Sequence, residues 1–153
     1  MRNRILVVAV GLCAFCIFLA LALTTAPPLR DARDLDALTI YAYRDWQSTG
    51  FSVKPEQRVS IRARGQWLYT PGEWHGPEGH ARYRAPSFYP LPNLPGGALI
   101  GKIGESGKPF LVGNARTLRA SSEGMLYLRI NDDILSDNEG QVEVELQTMP
   151  STD

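Results

Sequence analysis

The sequence predicts an all-β sandwich preceded by one N-terminal hydrophobic helix. Apolar residues fall two apart in Leu38, Ile40 and Ala42, in Val59, Ile61 and Ala63, in Leu126, Leu128 and Ile130, and in Val142, Val144 and Leu146. That is the period of a strand with one face inward. Gly, Pro, Ser and Asn recur between these runs as turn signals, the spacing expected of a sandwich or barrel. After residue 24 no window carries apolar residues at helical spacing over three turns.

The helix comes first. Met1-Arg2-Asn3-Arg4 precedes the nineteen-residue apolar run 5–23, which at 1.5 Å per residue nearly crosses a hydrocarbon core of ~30 Å. Arg2 and Arg4 hold the N-terminus in the cytoplasm. The run exceeds the roughly 7–15 apolar residues of a signal peptide, so an uncleaved signal-anchor is the favoured reading. Ala20-Leu21-Ala22 is nevertheless a small-x-small cleavage site, and cleavage there would give a secreted or periplasmic protein. Residues 1–25 are therefore a signal-anchor or signal peptide. The rest of the chain faces the periplasm or exterior, held at the inner membrane through residues 5–23. Both cysteines, Cys13 and Cys16, lie in this run, so the remainder needs no disulfide framework.

Residues 26–36 read as a linker, because Pro27-Pro28 stops a helix and the alternating Arg and Asp that follow leave nothing to bury. A domain at 37–149, about 110 residues, is large enough to bury one core unaided. Formal net charge is +0, and setting Arg2 and Arg4 aside leaves 14 basic residues against 16 acidic ones. Nothing in that balance favours nucleic acid, which usually needs a basic face.

Within the domain, residues 38–42 form the first strand. Val59, Ile61 and Ala63 form another, backed by Arg58, Ser60, Arg62 and Arg64. Residues 99–103, 110–112 and 117–120 are further short strands. Trp46 and Trp67, beside strands, are expected in the core. Residues 70–95 carry no convincing strand, and so long a connection is usually functional. It holds Trp74, His75, His80, Tyr83, Phe88 and Tyr89. Such rings suit sugars, offering an apolar face to C–H groups and a polar tip to hydroxyls, or they roof the open end of the sandwich.

Residues 101–108, GKIGESGK, invite comparison with a phosphate-binding loop and fail it. The first glycine is one residue too far from Gly107-Lys108, Pro109 stands where Ser or Thr is needed, and no helix follows. A hairpin turn fits better. His75, Glu78 and His80 suggest zinc ligands, but the histidines are five apart on a Gly/Pro loop instead of four apart on a helix. With no nucleophile elbow, matched carboxylate pair or Cys–His arrangement, no enzyme is expected.

The stretch 131–140, NDDILSDNEG, gathers carboxylates and carboxamides between the two clearest strands. Ca²⁺ takes about six to eight oxygens in flexible geometry, which such a loop can supply from both ends. An EF-hand is excluded, since Leu135 would fall on a ligand position and strands flank the loop. The competing reading is a plain Asx-rich turn.

Gly-Gln-Trp-Leu-Tyr at 65–69, His-Gly-Pro-Glu-Gly-His at 75–80, Gly-Ala-Leu-Ile-Gly-Lys-Ile-Gly at 97–104, Leu-Arg-Ile-Asn-Asp at 128–132 and Asp-Asn-Glu-Gly at 137–140 together resemble the LecA/PA-IL family. These are calcium-dependent galactose-binding lectins of bacteria. The resemblance implies a small galactose-binding-like sandwich of jelly-roll type. It implies Ca²⁺ held by side chains of Asp132, Asp137 and Asn138 and by main-chain oxygens of Tyr69 and Leu135. It further implies a sugar seated on the ion, with His75, Tyr83, Asp132 and Asp137 as carbohydrate contacts. The chain departs from the family pattern in five places, one being Asp137, which replaces an Asn and adds a charge that favours the cation. The loop between Asp132 and Asp137 is shorter by two residues, His75 replaces a Trp, Tyr83 replaces a His, and Arg84 replaces a Pro.

The expected function is thus a calcium-dependent lectin-like domain binding a carbohydrate or glycan of galactose-like type, with homo-oligomerisation raising avidity. The rival is a membrane-tethered adaptor that binds another envelope protein through the aromatic loop, with no sugar.

Overall fold

Alternation becomes strand throughout the computed structural model, which describes residues 37–70 and 72–150. The expected anchor and the 26–36 linker lie outside the described residues. Nine strands follow: β1 (Leu38–Tyr41), β2 (Gln47–Val53), β3 (Arg58–Thr70), β4 (Glu73–His75), β5 (Leu99–Ile103), β6 (Phe110–Leu111), β7 (Ala115–Arg119), β8 (Gly124–Ile130) and β9 (Glu139–Met149). Among the described residues there is no helix, and none long and apolar enough to cross a membrane.

Two antiparallel sheets result. In the first, β3 is central and β9 lies along one edge of it, with β1 beyond. Its other edge is shared, β7 pairing with Arg58 to Arg62 and β4 with Trp67 to Thr70. The second sheet runs β2-β8-β5-β6. Ile61, Trp67 and Val144 from the first sheet and Leu99, Leu126 and Leu128 from the second meet in one buried cluster. Each such side chain contributes about 1.5–3 kcal/mol by leaving water.

The strand β3 is longer than its sequence pattern suggests because Gly65, at φ +114°, carries the buried row past Ala63 to Trp67 and Tyr69. A Cβ there would stand 3.1 Å from the Gln141 carbonyl. Trp67 is fully buried, and its indole N–H donates to the Gly97 carbonyl at 2.8 Å.

Three expectations are corrected. Trp46 is half-buried and outside the core, with the Lys102 ammonium 4.6 Å and the Arg129 guanidinium 5.5 Å from its ring. Its indole is a platform for cations instead of core filling. The 70–95 stretch does contain a strand, β4, too short at three residues to show a period. β2, with its sequence QSTGFSV, escaped notice because only Val53 is fully buried. Backbone pairing with β8 and the Thr49 hydroxyl, which donates to the Leu126 carbonyl at 2.8 Å, hold it in place. The 101–108 segment spans the β5–β6 turn, with Gly101 opposite Phe110.

Candidate functional site

The connection from β8 to β9, residues 131–138, closes one end of the two sheets. Asn131 is fully buried and is bound on both main-chain sides, accepting from the Gly97 amide at 2.9 Å and donating to the Ala98 carbonyl at 2.7 Å. Its side chain reaches the other way. Oδ1 accepts from the Leu91 amide at 3.0 Å, and Nδ2 donates to the Leu91 and Pro95 carbonyls at 2.9 and 3.2 Å. The aromatic loop is thereby fastened to the acidic turn.

Asp132 and Asn138 are each 4 % exposed. The Asn138 amide nitrogen donates to Asp132 Oδ2 at 2.7 Å and to the Ile134 carbonyl at 3.1 Å, while the Asp133 amide donates to Asp132 Oδ1 at 2.8 Å. Turning the Asn138 amide over would set oxygen against two acceptors, so its orientation is fixed. Asn138 Oδ1 is left buried without a hydrogen-bond partner. Burial raises the Asp132 pKa above the ordinary carboxylate value, and hydrogen bonds from Asn138, Tyr89 and the main chain oppose this only in part.

Beneath the turn, the Arg129 guanidinium donates to the Asp132 carbonyl at 2.6 Å and the Ile130 carbonyl at 3.0 Å and pairs with Asp45. Its burial lowers its own pKa, while Asp45 and Asp132 raise it. Arg129 acts through the main chain, setting the path of the turn.

The aromatic side is built on β3 and β4. Tyr69 lies at an irregularity between the Leu68–Trp74 and Thr70–Glu73 pairs. β3 and β9 pair up to Leu68 and Glu139, and one further step of that register sets Tyr69 opposite Asn138. The Tyr69 ring crosses Gly96-Gly97, where any Cβ would collide with it at 2.2–2.6 Å. His75 and Tyr83 flank it at centroid distances of 5.9 and 6.3 Å. Its hydroxyl lies 3.1 Å from that of Tyr89, whose side chain helps to hold the Asp132 pKa down against burial. Either hydroxyl of that pair can serve as the donor. Burial is the main reason the Tyr69 phenol is pushed up to about 12, and burial also raises Tyr89.

Of the residues expected from sequence, Asp132 and Asn138 are joined directly, and His75 and Tyr83 both contact Tyr69. Leu135 turns its side chain to the core, and its carbonyl accepts from the Asn138 amide at 3.4 Å. Asp137 is exposed on the turn. Sequence reasoning singled out Asn131 in the 131–140 stretch and Tyr89 in the aromatic loop without joining the two, and it gave Arg129 no role. It also paired the histidines with Glu78, whereas Glu73 on β4 is the carboxylate that meets them. No periodic signal marks these residues, because each acts across the two loops instead of along one strand.

Two antiparallel sheets around one core, closed at one end by this pair of loops, define an all-β fold of two packed sheets. Among solved structures the chain is similar to the EclA N-terminal domain, a PllA-like lectin, with a TM-score of 0.59 and 23% identity over 78% of this chain and 100% of that one. At that identity the likeness shows the fold. No protein-family model matches the chain, and a search among curated proteins returns no match.

Proposed function

We propose that this domain binds a carbohydrate through a Ca²⁺ ion seated in the 131–138 turn, catalyses no reaction, and is displayed outside the cytoplasmic membrane by residues 5–23. The observation that carries the reading is Asn138 Oδ1, a buried acceptor without a partner. Such an atom costs stability unless something positive reaches it. Beside it lies the Asp132 carboxylate, whose ionised form burial disfavours and a cation would restore. The donor set is all oxygen, which selects a hard ion.

Asp132 and Asn138 would hold the ion with their side chains, assisted by Asp137 and by main-chain oxygens at Tyr69 and Leu135. When bound, Ca²⁺ supplies a Lewis-acidic seat for a pair of sugar hydroxyls. The residues of this chain do the rest. Asn138 orients Asp132, Arg129 fixes the turn, and His75 and the 40 % exposed Tyr83 present rings to the sugar's apolar side. The finer assignment to a galactose-binding-like jelly roll of the LecA/PA-IL type is part of this proposal. Its support is the sequence blocks and the likeness to a solved lectin domain.

The test is calorimetric titration of Ca²⁺ into the detergent-solubilised full chain, followed by a glycan array with calcium or chelator. One equivalent of Ca²⁺, lost in Asp132→Ala and Asn138→Ala, is expected, with glycan binding that chelator removes. Absence of heat and of thermal stabilisation at millimolar Ca²⁺ would sink the reading and leave the adaptor.

A further inference from the structure

We propose that Glu73, His75 and His80 form a second cation site, one for a borderline transition ion of the Zn²⁺ class and separate from the oxygen-lined 131–138 turn. The three ligand atoms lie within 4.8 Å of one another. Glu73 Oε2 stands 3.5 Å from Nε2 of both His75 and His80, and the two rings have centroids 4.8 Å apart. For a triangle with two 3.5 Å sides and a third of at most 4.8 Å, the point equidistant from its corners lies no more than about 2.4 Å from each. Small side-chain rotations bring that to zinc bonding distance of about 2.0–2.2 Å. Two imidazoles and one carboxylate select zinc, nickel or copper over Ca²⁺, which takes oxygen.

The backbone places these ligands without strain. Glu73 and His75 are two apart on β4 and share one face. His80 returns to them through the 76–79 turn, closed by the Gly79 amide on the Gly76 carbonyl at 3.0 Å, and its own amide is anchored on Gly96 at 2.8 Å. The His75 and His80 side chains are 16 % and 24 % exposed, against 61 % for Glu73. The site therefore opens to solvent at the carboxylate and leaves a fourth position for water or a ligand atom.

One contact gives loading of this site a consequence. The amides of Arg82 and Tyr83 both donate to His80 Nδ1 at 3.1 Å, so in the neutral ring the proton sits on Nε2, facing Glu73. An ion on Nε2 takes that proton's place, the imidazole proton moves to Nδ1, and the two amides must turn away. Zinc thus repositions the 80–83 turn that carries Tyr83. Only this last step rests on the carbohydrate reading.

The experiment is Zn²⁺ titration of the detergent-solubilised full chain in saturating Ca²⁺, with bound metal counted after dialysis and Co²⁺ used as a spectroscopic substitute. One equivalent is expected in the parent and in Asp132→Ala. Affinity should fall at least about tenfold in Glu73→Gln, an exposed and shape-conserving change, and further in His80→Gln. No uptake at sub-millimolar Zn²⁺, or equal uptake by parent, Glu73→Gln and His80→Gln, overturns the proposal. So does loss of zinc in Asp132→Ala or its displacement by Ca²⁺, since either puts the zinc in the acidic turn. Failure of the calcium reading leaves the zinc result unchanged.

Discussion

Asn131→Ala removes the side chain that fastens the aromatic loop to the acidic turn, and its cost can be worked from the bonds. Three are lost, at 3.0, 2.9 and 3.2 Å, one from the Leu91 amide and two to the Leu91 and Pro95 carbonyls. Each hydrogen bond contributes about 1 kcal/mol net. Leu91 and Pro95 are half-buried, so their freed groups reach water and the larger penalty of a buried orphan does not apply. The sum is about 3 kcal/mol, and for a domain of about 110 residues that lowers Tm by roughly 12 °C. The main-chain bonds of Asn131 to Gly97 and Ala98 remain, so the sheets stay intact and the loop should lose the most protection. The assay is a thermal melt paired with amide hydrogen exchange, which should show the largest acceleration in residues 85–95. The loop also has bonds of its own, Ala85 to Leu94 at 2.8 Å and Asn93 to Ala85 at 2.9 Å. If those suffice, Tm will stay within about 2 °C of the parent and the reasoning is refuted.

Three further outcomes are expected. The raised pKa of Asp132 means the folded state holds the proton more tightly than the unfolded one, so without metal this group's contribution is lost as pH rises from near 3.8 through the raised value. Asp132→Asn should therefore gain on the parent across that window in chelator melts; a constant difference from pH 4 to 8 would contradict this. Tyr89→Phe breaks the hydroxyl pair with Tyr69 and should cost about 1 kcal/mol in urea unfolding with an unchanged m-value. Arg129→Met leaves the Asp132 and Ile130 carbonyls without their donor and should lower stability by about 2–3 kcal/mol; a loss below about 0.5 kcal/mol would show that the guanidinium does not hold the turn.

What the sequence made legible was whatever repeats along one strand. Val59, Ile61 and Ala63, and Val142, Val144 and Leu146, alternate because one sheet face is buried, and these became β3 and β9. β2 was hidden because it is held by backbone pairing and a Thr49 hydroxyl, neither of which leaves an apolar period. Trp46 misled because size alone does not separate a core ring from one that covers cations. The acidic turn was visible as composition, yet composition cannot say which carboxylate is buried. Asp132 is buried under Tyr89 and Asn138 while Asp137 is exposed, and only the fold makes that distinction. Glu73 and His80 are seven apart on a Gly/Pro stretch, and the β4 pairing that brings them together depends on Trp67 and Leu68, from a different strand.

The end of β8 explains why the two loops act as one site. Arg129, Asn131 and Asp132 are near neighbours in the chain, and their polar groups diverge. Arg129 binds the main chain of the turn, Asn131 binds Leu91 and Pro95, and Asp132 meets Tyr89 and Asn138. Tyr89 belongs to the loop that Asn131 fastens, and its side chain acts on the carboxylate beside Asn131. The path closes on itself, so a perturbation of the loop reaches the turn through both side chains. Interactions inside one such network are not additive. A cation that draws on Asp132 must therefore bind more weakly when Asn131 no longer holds the loop, although Asn131 itself has no oxygen to spare for the ion. Comparing Ca²⁺ affinity in Asn131→Ala, Tyr89→Phe and the double variant measures that coupling. If the two losses simply add, the loop and the turn are independent neighbours that happen to share an edge.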